Sequence, residues 1–600
     1  NVVWQAGLDS EAVLLSTRQL DAFYESGELT TEQTARARKG AYLGCATIDL
    51  AAGGSKAWFT VADANLTQSD AAAVGQDIGG PGFLERLKAD IEQGEGDLRG
   101  LLHAADAAQI SADIIHSRHH MSNVLFNCAR GGVPVNNYSF PASDFADFLR
   151  ARNRGVFERS RTHLETLPEE VGLHELEGLA DRSEDPDFAR LSREYLPLAF
   201  SRRHGDPSRP WNTFAIRTRK TDGSWCFDFQ GNWRDIFQNW EALGRSFPEL
   251  IERFITVFLN ASTRDGFNPF RITREGIDWE VLDPDDPWSG IGYWGDHQII
   301  YLLRLLEHSH RYHPGWLRHN LDREIFAYAD VPYRIADYDQ ICADPYNGIG
   351  FDEAAHTTAL KRAEEKGGDG KLYHQGDEIC RVNLAEKLLV PILAKLSNFV
   401  PGGGIWMNTG RPEWNDANNA LAGNGLSVVT ACHLYRHLDF IHDLFAGAAL
   451  ERVDVSKEVV GWLQAVLKAL RDLHAEKAAA AGESRRRKTF LDQVGGAFSQ
   501  YRNRVYRKGF SGKKGLRFAE VLELCRLGRE VLRRTIHANQ RPDGLYHSYN
   551  LLRFSRDGRQ AHVDHLYEML EGQVAVLESG MLSTAETIEL LASLRKSKLF

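Results

Sequence analysis

The chain has 600 residues, 43% of them hydrophobic and 26% charged, with a formal net charge of −11. That apolar content supports more than one large buried core, and the acidic balance argues against a nucleic-acid binder, which needs a basic face. No stretch approaches the roughly 18–20 consecutive apolar residues of a membrane span, and the opening NVVWQAGLDSEAV lacks the basic and apolar regions of a signal peptide. The chain starts without Met and stops at LRKSKLF, so it reads as a fragment of a longer polypeptide. Its seven cysteines are scattered without a CxxC pair, which reads as reduced core thiols in a cytoplasmic setting and not as structural zinc.

The first 200 residues predict a mixed N-terminal and helical linker region, which can be the end of a truncated domain. Residues 56–62 predict a strand, 29–40 and 83–120 polar helices, and 133–145 a loop. The acidic segment 163–200 predicts a surface helical connector, and SRRHGDPSRPWN (201–212) marks a shift of composition. From about residue 213 one arrangement repeats: a long apolar-periodic helix, then a loop rich in Gly, Trp, Asn and Asp. Phe247, Leu250, Ile251, Phe254, Ile255, Phe258 and Leu259 follow the i, i+3, i+4, i+7 spacing of a helix face. Similar runs fall at 297–308, 384–398, 425–445, 456–475, 517–537 and 583–597, the last opening with Ser583 and Glu586 in capping-box spacing. Several runs are apolar around most of their circumference, so they predict helices packed on two sides. Strand-like alternation is scarce; a stack of helix hairpins is the competing architecture, but no fixed-period self-similarity supports it over a closed ring. The expected fold is therefore mainly α, an (α/α)6 helical barrel over 201–600 preceded by the mixed region 1–200. The basic patch within 474–490 predicts a solvated linker.

Thirteen Trp, eighteen Tyr and thirty Phe often sit beside Gly, Asn, Asp and Pro rather than in helical repeats. Aromatics in loops are costly to expose unless they line a groove, and pyranose faces stack on such surfaces. Three loops concentrate the chemistry. FQGNWRDIFQNWEAL (229–243) offers Arg234, Asp235 and Gln238 among aromatics; charge-assisted hydrogen bonds to sugar hydroxyls compete there with an ordinary ion pair between loops. DPWSGIGYWGDHQIIYLL (286–303) places Asp296 at a helix start, where capping is the plain account. A cap does not need Tyr293 and Trp294 crowded before it, whereas aromatics around a carboxyl desolvate it and raise its pKa, as a general acid requires. GGGIWMNTGRPEWNDANNALAGNGLS (402–427) brings Arg411, Glu413, Trp414, Asn415 and Asp416 close to Trp406, which suits a polyhydroxylated ligand as well as it suits Asn and Asp turns before a helix. Glu413 is the leading second carboxylate, as base or as subsite ligand. Weaker candidates are His547 between two tyrosines, the Arg202–Arg209 cluster, and the pair Asp278 and Glu280. KGGDGK (366–371) lacks P-loop spacing, and no GxSxG, HExxH or GxGxxG motif is present.

The order and character of these loops resemble the catalytic part of the cellobiose and chitobiose phosphorylase family, over roughly residues 200–600. NWRDIFQN resembles the family's Arg-Asp-x-x-Gln-Asp segment, with Asn239 replacing its last Asp. YWGDHQIIYL resembles the Trp-x-Asp-Asp segment that supplies the general acid, which puts that role on Asp296. RPEWNDANN resembles Gly-Asp-Trp-Asn-Asp, with Glu413 in place of the first Asp. The resemblance implies an N-terminal β-sandwich, which is not evident in residues 1–200, a helical linker and the (α/α)6 barrel. It implies inorganic phosphate as co-substrate, with His547 the one position available for the family's late phosphate-binding histidine, no other cofactor and no metal. It implies an oligosaccharide or polysaccharide substrate, and relatives of this type are often homodimers.

The resulting expectation is inverting cleavage or synthesis of a glycosidic bond. Asp296 protonates the departing oxygen, and phosphate attacks the opposite face of the anomeric carbon. Inverting hydrolysis is the alternative, with Glu413 activating water about 6.5–9.5 Å from the acid. A non-catalytic carbohydrate-binding protein on the same scaffold is a further reading. A polysaccharide lyase using HSRHHMSN or LYHSYN is weaker still.

Overall fold

The computed structural model of the chain describes residues 2–63, 66–134, 136–199, 202–203, 215–216, 219–220, 222–269, 271–281, 298–408, 421, 423–475 and 483–600. For residues 202–203, 215–216, Asn232, Arg234 and Asp235 it describes the backbone alone. Among the described residues the chain is mainly helical, with 21 helices, 55% helix and small sheets. No helix there is long and apolar enough to cross a membrane. Two units separate, Asn1–Ala104 and Ala105–Phe600.

In the first unit Val2–Ala6 pairs antiparallel with Phe59–Asp63, which places the expected strand of 56–62 slightly later. Residues 29–40 form no helix. Glu32 instead accepts hydrogen bonds from the Leu15 amide (2.9 Å), the Ser16 hydroxyl (2.9 Å) and the Gln19 carboxamide (3.0 Å), and its own amide donates to Val13. These bonds tie the segment to residues 13–19 without regular structure, where a polar stretch without an apolar face had nothing to pack as a helix. The predicted helix 83–120 is two helices, Phe83–Ala104 and Ile114–Gly131; Asp106 in the left-handed region (φ 59°) ends one and the Asp113 side chain caps the other.

In the second unit the expected loop 133–145 contains two short strands. Val133–Pro134 pairs with Leu198–Ala199, and Ser139–Pro141 with Glu170–Gly172. The expected surface connector is also corrected. In the helix Pro186–Glu194 every residue from Phe188 to Glu194 is buried, including Arg190, Arg193 and Glu194. Charge suggested solvent, but these charges are closed into ion pairs (Arg190–Glu194, 2.6 Å), the one way such residues are tolerated inside.

The later helices follow the periodicity closely: Ile251–Asn260, Gln298–Tyr312, Leu384–Ser397, Val428–Ala446, Lys457–Ala475, Phe518–Ala538 and Thr584–Lys596. Ser583 and Glu586 form the reciprocal capping box. All fourteen residues of Leu384–Ser397 are buried; this helix packs against Lys457–Ala475 and Glu483–Lys508. The basic run read as a linker instead enters the helix Glu483–Lys508, where buried Arg487 donates to the carbonyls of Pro401 (2.6 Å) and Ala561 (2.9 Å). One five-stranded sheet joins Phe399–Val400, Gly404–Trp406, Gly425–Ser427, Tyr549–Phe554 and Ala561–His565 in that order. All seven cysteines are free thiols, three of them buried.

Candidate functional site

Register brings the starts of two helices to one end of the bundle. Trp233–Ser246 runs antiparallel to Ile251–Asn260, as the ring pairs Trp240–Phe254 (4.8 Å), Phe237–Phe258 (4.7 Å) and Trp233–Phe258 (4.4 Å) fix. Gln298–Tyr312 is antiparallel to the same helix, because Ser309 donates to Glu252 (2.6 Å) and His313 contacts it at 2.9 Å. His308 meets Glu241 at 2.9 Å, so Gln298 comes level with Trp233 and with the residues that follow Asn260. The first turn of Trp233–Ser246 carries Arg234 and Asp235 on its backbone, with exposed Gln238 one turn on. Asp296 precedes Gln298 by two residues in sequence.

The turn after Asn260 is tightly held. Thr263 and Phe267 close it (amide to carbonyl, 2.8 Å), and the Asp265 carboxylate accepts from the hydroxyls of Thr263 and Tyr506. Tyr501 donates to the Arg264 carbonyl (2.7 Å), and Arg264 bridges the Val505 carbonyl and Asp330, each at 2.9 Å. The Lys387 ammonium donates to the carbonyls of Ser262 (3.2 Å) and Ala327 (2.7 Å) and lies over the Tyr328 ring. Burial pushes its pKa well below the usual lysine range, with Glu386 opposing. At the far end of that helix Lys395 sits over the Phe267 ring (5.6 Å). Asn398 next to it accepts from Asn408 (2.9 Å) and binds the Trp406 amide through its carbonyl (2.8 Å). The turn, the two helix starts and the strand leading to Asn408 thus converge, and Asn408 and Gly423 flank the segment that contains Glu413.

Of the residues singled out from sequence, Tyr293, Trp294, Asp296, Arg411, Glu413, Trp414, Asn415 and Asp416 lie outside the described residues, as do the side chains of Arg234 and Asp235. Several loop aromatics expected to face a groove belong to the core instead: Phe227, Phe229, Trp233 and Trp406 are all buried, and the Trp406 indole donates to the Gly423 carbonyl at 2.7 Å. Asp278 is a paired, half-buried carboxylate, bound to Arg271 (2.5 Å) and Lys371 (3.3 Å). Burial alone would raise its pKa, but the two cations hold it below the usual carboxylate range.

His547 stacks on His565 with ring centres 4.3 Å apart and planes within 8°. Its Nδ1 donates to the Leu566 carbonyl (2.7 Å), so Nε2 is left as an acceptor. His565 binds Asn550 (2.8 Å), whose amide donates to the Gly403 carbonyl (2.7 Å) and to Asn539 (2.8 Å). The pair therefore braces the glycine turn that leads into Gly404–Trp406. Desolvation lowers the pKa of both rings. With Nδ1 engaged by Leu566, only Nε2 of His547 is left to meet an anion.

Lys387, Lys395, Asn398 and Asn408, which tie these elements together, do not stand out as such in the sequence. The one available signal was charge placed inside an apolar helix, Lys387 and Lys395 in LAEKLLVPILAKLS. Among the described residues no three His, Cys, Asp or Glu side chains group as a metal site would need. A groove of about 1000 Å³ lies elsewhere, lined by Arg159, Asp185, Asp187 and Arg381, whose charges are already paired (2.7 Å and 3.3 Å).

Residues 135–197 match the family model described as glycoside hydrolase family 149 insertion domain 1. Family 149 is a phosphorylase family related to the family 94 phosphorylases. No curated protein matches the chain. The matched segment runs from the turn at Asn136 through the buried helix Pro186–Glu194, and it is the part of the second unit that carries the groove's Arg159 and Asp185. The match associates the chain with carbohydrate-active enzymes that act on glycosidic bonds.

Proposed function

We propose that the chain cleaves, or in reverse forms, a glycosidic bond of an oligosaccharide or polysaccharide with inversion, on an (α/α)6 barrel, with Asp296 as proton donor and inorganic phosphate as nucleophile. The observation that carries this reading is the match of residues 135–197 to an insertion domain of a phosphorylase family. It joins the three loop motifs in their expected order, and the convergence of the elements that flank them supports placing the chemistry there. Asp296 gives its proton to the leaving oxygen while phosphate attacks the opposite face of the anomeric carbon, yielding a sugar 1-phosphate of inverted configuration. Arg234 and Asp235 would hold sugar hydroxyls by charge-assisted hydrogen bonds, with Gln238, Tyr293, Trp294, Arg411, Trp414, Asn415 and Asp416 completing the substrate site.

Hydrolysis is the second reading, and one observation favours it: the Nδ1–H of His547 is already given to the Leu566 carbonyl, which weakens the anion's expected ligand. Glu413 then activates water. The test is a screen of α- and β-linked gluco-, manno- and chito-oligosaccharides with and without phosphate. Sugar 1-phosphate formed only with phosphate supports phosphorolysis; free sugar formed without it supports hydrolysis. Asp296→Asn should lower either activity by at least about a thousandfold, the upper part of what a positioned acid contributes. Near-normal turnover by that variant sinks the assignment, and Glu413→Gln separates the two nucleophiles.

A further inference from the structure

Among the described residues, three buried polar groups at the convergent end of the helices have no hydrogen-bond partner. Neither amide atom of Asn268 is paired, neither amide atom of Gln298 is paired, and the Trp233 indole N–H is also unpaired. Each of the three residues is fully buried, at 0% exposure. Buried polar groups are nearly always satisfied, and leaving one unsatisfied destabilises the fold, so three together call for an explanation.

Their placement supplies it. Trp233 and Gln298 are the first residues of two parallel helices brought level by the His308–Glu241 contact. Asn268 lies three residues before Arg271, which pairs with Asn232, the neighbour of Trp233. Asn268 also ends the turn that Tyr501, Tyr506, Arg264 and Lys387 hold in place, so its backbone has little freedom to swing the amide to another partner. A rigid scaffold that presents unpaired amides is built for a ligand rather than for its own stability. The chemistry of the groups narrows the ligand. A carboxamide sets a donor beside an acceptor and carries no charge, which matches a pair of neighbouring hydroxyls and gives no preference for an anion.

We infer that Asn268 and Gln298 read the hydroxyls of an uncharged sugar residue, and so set which glycosyl unit the site accepts. The inference rests on the glycosidic-bond reading above and adds two specificity-determining residues to it.

Asn268→Leu and Gln298→Met keep side-chain bulk and remove the amides. Two measurements on the full chain are decisive: thermal unfolding without ligand, and kcat/KM for whichever oligosaccharide of the screen the parent protein cleaves. Because the amides have no partner in the fold, Tm should hold or rise in both variants, whereas loss of hydroxyl recognition should lower kcat/KM by about tenfold or more. The KM for phosphate, where phosphate is used, should not move. A fall in Tm with unchanged kcat/KM would make the amides structural and overturn the inference; so would unchanged kcat/KM at unchanged Tm. If the parent protein cleaves nothing, calorimetric titration with the same oligosaccharides separates the two proposals. Binding by the parent that both variants lose upholds the hydroxyl role while the catalytic reading falls, and no binding by the parent overturns both.

Discussion

His437 sits in the middle of the helix Val428–Ala446, fully buried, and desolvation pushes its imidazole down to about 4, with the nearby Ile299 carbonyl opposing only in part. In the unfolded chain the same ring takes a proton near about pH 6.5. Between those values the unfolded state binds one more proton than the native state, so stability is complete above the unfolded pKa and is lost as the pH falls towards 4. From pH 7 to pH 5 the loss through this residue should be about 2 kcal/mol. His437→Leu, which adds no polar group to the helix, should flatten that dependence. Urea unfolding of both proteins at the two pH values checks it, and an equal loss in parent and variant would rule out His437 as the source. The same physics limits what a sequence reveals. Asp296 and Glu413 stood out because their neighbours form motifs, but the unpaired amides of Asn268 and Gln298 have no local signature; they arise only when distant elements close over them. Trp233 and Trp406 misled in the opposite direction, since a Trp beside Gly and Asn looks like a sugar platform whether its ring faces a groove or, as here, the core.

At the scale of elements, long helices were legible to within a few residues because a 3.6-residue apolar period persists over several turns, as in Ile251–Asn260 and Phe518–Ala538. Most strands were not, although Phe59–Asp63 overlaps the strand expected at 56–62. They run from two to six residues, and Gly425–Ser427 finds its partner in Tyr549–Phe554, more than a hundred positions away, so no local pattern announces either. How a turn seats on a helix is equally invisible, and Gly266 shows the requirement. Its φ is +86°, and a methyl group there would lie 2.8 Å from the Ala394 side chain and 3.0 Å from the Val390 carbonyl. The turn Thr263–Phe267 therefore rests directly on Leu384–Ser397 at Pro391, with no room for a side chain. Gly266→Ala should destabilise by about 2 kcal/mol or more, from left-handed strain and overpacking together. Gly558 provides the control: φ is +67° but nothing lies within 4 Å, so Gly558→Ala should show the conformational part alone, about 1 kcal/mol. Denaturant midpoints at unchanged m-value measure both, and similar losses at the two sites would refute the close-packing argument. Because Asn268 follows this turn, Gly266→Ala should also disturb the site more than its distance in sequence from the motifs suggests.

At the scale of the whole molecule, the segment that matches the insertion domain is joined to the rest of its unit by a closed set of buried charges. Arg152 and Arg190 each pair with both Glu194 and Asp369, and all four side chains are at most 6% exposed. Asn153 donates to Asp369 (3.1 Å), and Asn260 donates to Glu194 (2.7 Å) while its own carbonyl oxygen receives the Ala327 amide (2.8 Å). The cluster thus runs from the matched segment, through the end of Ile251–Asn260, to the turn Gly368–Lys371, and so reaches the helix whose C-terminal loop carries Asn268. Two cations and two anions cancel, which is what permits their burial. Desolvation opposes the charge on Asp369, but Arg190 and Arg152 outweigh it and hold the carboxyl below its usual range. Such a cluster need not be more stable than an apolar core, yet removing one member strands the others. Asp369→Ala leaves two buried guanidiniums with a single carboxylate between them and should destabilise by about 3–5 kcal/mol. The loss should also be regional: amide exchange should quicken in Ala142–Arg152 and Pro186–Glu194, which the cluster ties down, and much less in Thr584–Lys596, which it does not touch. A destabilisation below about 1 kcal/mol, or exchange that rises evenly along the chain, would mean that apolar packing alone seats the insertion segment.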